Sequence, residues 1–319
     1  MKIGKTVVGS FPKLPVDVEE SIKTVIDIQL RNGIGIVSDG EQRADMIAYF
    51  EQMPGLTRGP TGVTVSSKIS PPEDPSVLAK VSDFLLAKNY LRKIGKETVP
   101  IKTAVTGPIT LGVTCAASGL KYYSGFNDEA LYRDLSEALE SVAAKLLQLG
   151  SYVQLDEPGL SAGYMAPSKA LAILRELFDN IESSKKSPGS VSIHVCGSLV
   201  KMPSLLEGLL ELNLDVVSLA FSGSTEEQNL NLISEGLFKD SGKRLGLGCT
   251  EASAVQKSDV ESGEQIYRRI RSIADRVGSN NIAYAHPDCG LKGATLDVSE
   301  LILQRLSEAV DLCNRDLPD

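Results

Sequence analysis

The sequence predicts an α/β protein of the single (β/α)8 barrel class, the TIM barrel. Three observations carry that prediction. Short β-branched runs alternate with longer stretches of helical apolar spacing, eight times over. The 319 residues suit one large α/β unit, and no repeat, low-complexity tract or linker divides them. A doubly wound open sheet usually carries a glycine-rich first βα turn, which Gly9-Ser10-Phe11-Pro12 is not. In order, the predicted strands span 5–9, 35–38, 101–106, 152–155, 191–195, 216–219, 244–247 and 282–285. Helical spacing predicts helices over 17–32, 128–149, 167–181, 204–212, 258–277 and 297–313, with start signals at Asn127-Asp128 and Ser258-Asp259. Residues 51–100 are too long for one crossover. Pro60, Thr61-Gly62 and Pro71-Pro72 punctuate them, so they read as an insertion after strand 2. It consists of a hairpin around 63–69 and a helix over 75–93, placed over the barrel mouth.

Composition narrows the function. Hydrophobic residues make up 42% and charged residues 23%, which is enough for a core and gives no case for disorder. A net charge of −8 with no basic run argues against nucleic acid and anionic membranes as partners. Five cysteines without repeated spacing do not make a disulfide framework. The amino terminus enters a strand pattern directly, and no run approaches the 18 apolar residues of a membrane span. These features predict a soluble, cytoplasmic enzyme.

The strand exits are more informative than the strands, because a barrel gathers them at its C-terminal face. They carry Gly9-Ser10, Asp39-Gly40-Glu41, Thr106-Gly107-Pro108, Asp156-Glu157-Pro158, His194-Val195-Cys196, Ala220-Phe221-Ser222, Cys249-Thr250-Glu251 and His286-Pro287-Asp288-Cys289. The chain has two histidines, His194 and His286, each at an exit and within three residues of a cysteine. On an extended strand His194 and Cys196 point to one face. Cys289 approaches them from the last exit. One imidazole and two thiolates suit Zn²⁺, and three protein ligands with an open fourth position mark a catalytic site. Cys115 and Cys313 read as core residues, and Cys249 lies near the mouth without a sequence partner.

Six ordered motifs resemble those of the cobalamin-independent methionine synthase family, in its C-terminal catalytic domain and its short stand-alone "core" form. They are Val8-Gly9-Ser10-Phe11-Pro12, Gly40-Glu41 with Arg43-Ala44-Asp45-Met46, Thr106-Gly107-Pro108-Ile109-Thr110, Gln154-Leu155-Asp156-Glu157-Pro158, His194-Val195-Cys196 and Pro287-Asp288-Cys289-Gly290-Leu291-Lys292. The resemblance implies a zinc-dependent methyltransferase that moves a methyl group to the thiol of homocysteine, forming methionine. By the same resemblance, Glu41 and Asp156 hold the substrate ammonium, and the Gly9-Ser10 backbone with the Ser10 hydroxyl holds its carboxylate. Glu251 and Asp288 are the candidate catalytic carboxylates, Glu251 as a replacement acid.

Three departures from the family's pattern matter. Ala220 stands where the family has a glutamate zinc ligand, so water, Ser222 or Glu226 fills the fourth position. Leu111-Gly112-Val113 lacks the tryptophan that stacks on a pterin, and the chain has no tryptophan at all. Ser253 stands at the general-acid histidine. A methylated folate leaves as an amine that needs a proton, whereas a methylcorrinoid leaves as Co(I) and needs none. The two losses therefore favour a methylcorrinoid protein as the donor over a methylated folate. The alternatives are an alkyltransferase for another small thiol such as coenzyme M, and a non-catalytic zinc-binding barrel. Coenzyme M has no ammonium for two carboxylates to hold, which favours homocysteine.

Overall fold

The structure, a computed structural model, describes residues 2–316. The strands are β1 (Gly4–Lys5), β2 (Leu56–Gly59), β3 (Gly62–Val65), β4 (Lys102–Thr106), β5 (Tyr152–Asp156), β6 (Val191–Val195), β7 (Val216–Ala220), β8 (Arg244–Thr250) and β9 (Ile282–Pro287). Seven of them form one parallel sheet in the order β1-β9-β8-β7-β6-β5-β4, and β2 with β3 forms a separate antiparallel hairpin. The helices are α1 (Val18–Arg31), α2 (Ala79–Lys93), α3 (Pro108–Ser118), α4 (Glu129–Gln148), α5 (Pro158–Ser161), α6 (Pro167–Ile181), α7 (Pro203–Leu210), α8 (Glu226–Leu230), α9 (Glu235–Ser241), α10 (Gly263–Val277) and α11 (Leu296–Asp316). Among the described residues no helix is long and apolar enough to cross a membrane.

Two predicted strands are shorter than expected. The first ends at Lys5, and 35–38 makes single bridges instead of a strand. Ile36 bridges Thr6, and Val37 bridges Ile101, so this segment touches both edges of the curled sheet. Backbone bonds to Lys5, Pro100 and Lys102 hold residues 35–37, and side chains take over at Ser38. Gln29 of α1 donates to the Ser38 carbonyl (2.9 Å) and accepts from the Ser38 N–H (2.8 Å), while Ser38 Oγ donates to the Gly9 carbonyl. A glutamine in the apolar stripe of α1 thus satisfies backbone that an ordinary strand would pair.

The 51–100 segment differs from its prediction in register. The hairpin spans 56–65 and turns at Pro60-Thr61, and it packs on the end of α3, where Val65 bridges Leu120. The helix α2 begins at Ala79 after a short turn at Pro75–Val77, and packs between α1 and α4 in the outer helical layer. The helix predicted over 258–277 begins later, at Gly263, with Ser262 and Gln265 forming a reciprocal cap. At the other predicted start, Asp128 does cap α4 through the Ala130 N–H.

The parallel register sets the site. Thr106 aligns with Asp156, Asp156 with His194, and His194 with Ser218. Alternate residues on the other face, such as Val105, Leu155, Ile193, Val195, Leu219 and Leu247, are buried in the main apolar core. The inner face is polar. It carries Lys102, Gln154, Ser192, His194, Ser218, Tyr284 and His286, all buried. Gly246 makes room for two of them, because a Cβ there would stand 2.8 Å from the Tyr284 ring and 2.9 Å from Ser218 Cβ.

Candidate active site at the strand exits

A pocket of about 160 Å³ opens at the C-terminal ends of the strands, lined by Ser10, Glu41, Asp156, His194, Cys196 and Cys289 among others. Seven of the predicted site residues are Ser10, Gly9 and these five others, and six of the seven line the pocket directly. Gly9 stands just behind, where a Cβ would lie 3.9 Å from the Glu41 carboxylate and 3.0 Å from Ala104 Cβ.

The metal-capable residues converge at one wall. His194 Nε2 is buried and has no hydrogen-bond partner. The Cys289 thiol is held below the ordinary thiol range by Cys196 and His194, while Cys196 is held above it by the same shared proton and by burial. Among the described residues no three His, Cys, Asp or Glu side chains already stand as a metal-spaced group. An orphaned imidazole nitrogen facing two thiols is nevertheless the donor set that zinc takes. The backbone beneath is braced: Ser161 Oγ donates to the Cys196 carbonyl, and Asn229 Nδ2 donates to the carbonyls of Gly197 (2.9 Å) and Ala220 (2.8 Å).

The acidic wall is built differently. Glu41 has φ 51° and follows Gly40 at φ 73°, so two successive residues take the left-handed conformation. Asp39 Oδ1 accepts the Glu41 N–H (2.9 Å) and Ser38 Oγ accepts the Gly40 N–H, which hold this turn. Such strain at a non-glycine residue costs free energy and is characteristic of functional sites. Lys80 of α2 forms a buried ion pair with Glu41 and lies 3.9 Å from the centre of the Tyr49 ring. Asp156 Oδ1 accepts from Gln154 Nε2 (2.7 Å), whose Oε1 accepts from Lys102 Nζ (2.6 Å). Burial raises the Asp156 carboxyl and lowers the Lys102 ammonium from their ordinary values.

Glu251 and Asp288 do not line this pocket. Asp288 ties three exits together: Oδ2 accepts from Ser222 Oγ (2.5 Å) and Oδ1 from the Ala252 N–H (2.9 Å). Glu251 lies against Gly223, and its N–H donates to Glu261. Of the proposed substitutes for a fourth ligand, Ser222 is engaged by Asp288 and Glu226 pairs with Arg269 (2.9 Å).

Several residues that shape the site had no role assigned from the sequence. Lys80, Lys102 and Gln154 set the carboxylates, and Ser218 and His286 stand behind His194. Gln154 and Glu157 were visible only as part of a motif, and His286 only as a histidine at a strand exit. The Glu157 carboxylate accepts from the N–H groups of Ile109 and Thr110 and from Thr110 Oγ1 at the start of α3. Burial still pushes it up to about 7. A charged residue inside a β-branched run was the available signal for Lys102; Lys80 had none, since helices carry lysines routinely.

The chain is similar to known proteins over most of its length. Residues 15–314 match the family model described as the catalytic domain of cobalamin-independent synthase. A methionine synthase of Methanothermobacter marburgensis is 30% identical over 307 residues, covering 90% of this chain and 92% of that one. A methionine synthase of Methanocaldococcus jannaschii is 26% identical, covering 97% and 92%. A solved B12-independent methionine synthase from Shewanella sp. W3-18-1, in complex with selenomethionine, shares the fold with a TM-score of 0.77 at 19% identity, covering 99% of each chain. The chain belongs to the cobalamin-independent synthase family, through its catalytic domain.

Proposed function

We propose that this protein is a cytoplasmic, zinc-dependent methyltransferase that methylates homocysteine to methionine, with a methylcorrinoid protein as donor. The observation that carries the reading is the unpartnered His194 Nε2 facing Cys196 and Cys289 in a pocket that also holds Glu41 and Asp156. The relatives named methionine synthase support the acceptor. The sheet, with 35–38 touching both of its edges, is read as a (β/α)8 barrel whose eighth position is that segment. In this reading the hairpin of 51–100 is an insertion that reaches over the mouth.

His194, Cys196 and Cys289 would hold Zn²⁺, which when bound supplies a substrate sulfur already stripped of its proton; a free thiol is only a few per cent thiolate at neutral pH. Glu41 and Asp156 orient the substrate through its ammonium, and Ser10 receives its carboxylate. The sulfur attacks the methyl carbon, an S–C bond forms as the donor's bond to methyl breaks, and the electron pair leaves with the donor. Lys80 offsets one of the two carboxylate charges, so the acidic wall matches a single ammonium.

Three observations support the corrinoid donor. Leu111 is fully buried and so not available to stack a pterin. Ser253 is exposed and stands outside the pocket, so it does not take the place of the missing histidine. A wider cleft of about 590 Å³, lined by Ser161, Gly163, Gly197, Val200 and Lys201, lies along the loops that continue from Pro158 and Cys196, and we place a bulky donor there. The test is methionine formation by zinc-loaded protein from homocysteine, comparing methylcobalamin with methylated folate. Methionine from methylcobalamin alone is the expected result. Methionine from the folate overturns the donor assignment, and no methylation of homocysteine with either donor or with a corrinoid protein overturns the acceptor.

A further inference from the structure

One helix holds the acidic wall from behind. Lys80 and Asp83 lie one turn apart on α2, and both are buried. Their partners all belong to the segment that carries Glu41. Lys80 Nζ donates to Glu41 Oε1 (2.5 Å) and stands 3.9 Å from the centre of the Tyr49 ring. Asp83 Oδ2 accepts from the Tyr49 hydroxyl (3.0 Å), and Oδ1 pairs with the Arg43 guanidinium (2.5 Å). Tyr49 Oη in turn accepts the Arg43 N–H (3.0 Å), and Gln52 Oε1 accepts the Ala79 N–H where α2 begins.

The geometry divides the two oxygens of Glu41. Lys80 takes Oε1. Oε2 lies on the side of Gly9, where an added Cβ would stand 3.9 Å from it, beside Ser10 in the pocket wall. Lys80 itself does not line the pocket. Glu41 also sits in the left-handed region, a conformation that persists only where the surroundings over-determine it. Without Lys80 it would be a buried carboxylate with no counter-charge, and such a group takes up a proton or turns away. Either response removes a fixed anionic oxygen from the pocket.

We propose that Lys80 is a positioning residue that makes the site selective for thiols bearing an ammonium. From outside the pocket it fixes Glu41 Oε1, so that Oε2 alone is presented to the amino group of the substrate. Asp83 supports it by holding Tyr49 against the lysine and Arg43 beside the turn. Selectivity arises because an ammonium-free thiol covers that oxygen without pairing it, and a site built to pair a substrate group rejects the analogue that lacks it. The inference deepens the reading of Glu41 and Asp156 as the ammonium site, and rests on it.

The test compares the binding of homocysteine with that of 4-mercaptobutanoate, which keeps the thiol and carboxylate and lacks the ammonium, by calorimetry. The two ligands share the thiol, so the ratio of their Kd values reports the ammonium alone. The unsubstituted protein should prefer homocysteine. Lys80→Met should weaken homocysteine on the order of 10-fold or more without weakening 4-mercaptobutanoate. In a Glu41→Gln background the same substitution should add nothing, because Lys80 acts through Glu41. The double variant buries no unpaired charge, so its ratio, expected to equal that of Glu41→Gln, carries the test if Lys80→Met alone does not fold. Equal weakening of both ligands, or a further loss in the double variant, would mean that Lys80 only supports the fold and overturns the inference. Tighter homocysteine in Lys80→Met overturns it too, since Lys80 would then compete with the substrate for Glu41. No preference for homocysteine in the unsubstituted protein sinks the ammonium site itself, and this inference with it.

Discussion

Asp39 is a buried carboxylate whose Oδ2 has no hydrogen-bond partner. Burial pushes its pKa up to about 6 from an ordinary 3.8, although Lys80 opposes the shift. The folded state therefore binds this proton more tightly than the unfolded chain does. Ionised Asp39 costs stability above pH 6, and the cost fades as the pH falls through 6 towards 4. Asp39→Asn keeps an acceptor for the Glu41 N–H and removes the charge. It should stabilise the protein at pH 7.5 by at most about 3 kcal/mol, and by clearly less at pH 5, in melts at the two values. An equal offset at both would show that the charge is not the cause. In the proposed function the neighbouring carboxylates hold the substrate ammonium instead. Glu41→Gln and Asp156→Asn should each raise KM for homocysteine on the order of 10- to 100-fold, from the loss of a charge-assisted hydrogen bond worth about 1.5–3 kcal/mol, with a smaller effect on kcat. A fall in kcat at constant KM would move them to the chemical step. Both were legible as carboxylates at strand exits. The pairing of Glu41 with Lys80 was not, because the partners come from elements distant in sequence.

Among the elements, α3 shows how a helix start can depend on a neighbouring strand's exit. Its N-terminal N–H groups at Ile109 and Thr110 are satisfied by Glu157, which follows β5, and not by a local cap. Gly107 makes this possible, since a Cβ there would overlap the Glu157 carboxylate, which is fully buried and cannot swing away. Gly107→Ala should lower Tm sharply, whereas Gly163→Ala, where a Cβ meets nothing, should cost only the strain of its positive φ. Comparable losses in the two would mean that Glu157 relaxes. The same kind of long-range support explains what the sequence pattern missed. The α3 segment is apolar on most sides and carries no periodic stripe, so spacing did not reveal it. Strand 35–38 was legible as a β-branched run, but its ladder is completed by Gln29 and Ser38 side chains, which periodicity does not encode. Register in the helical ends failed for a simpler reason: Ser258 with Glu261 and Ser262 with Gln265 both fit the capping-box pattern, and only the second pair caps the helix.

At the scale of the molecule, the order of alternating elements made the α/β class and the gathering of exits readable, since both follow from topology alone. What topology does not set is whether the exits hold a metal. His194 and Cys196 come from the exit of β6 and Cys289 from the exit of β9, and β7 and β8 lie between them in the sheet. An ion held by all three would tie exits across two intervening strands, and binding the folded state alone stabilises it by mass action. At free zinc about 1,000 times its Kd the gain is about 4 kcal/mol, which for a chain of this length is on the order of 5 °C in Tm. Chelator should therefore lower Tm by that amount and zinc should restore it. Cys289 is exposed at the mouth, so Cys289→Ser should keep the metal-free Tm while losing most of the zinc response. A full zinc response in Cys289→Ser would remove Cys289 from the ligand set. It would leave His194 and Cys196, adjacent on one strand exit, without a ligand from across the sheet, and the tie between β6 and β9 would not exist.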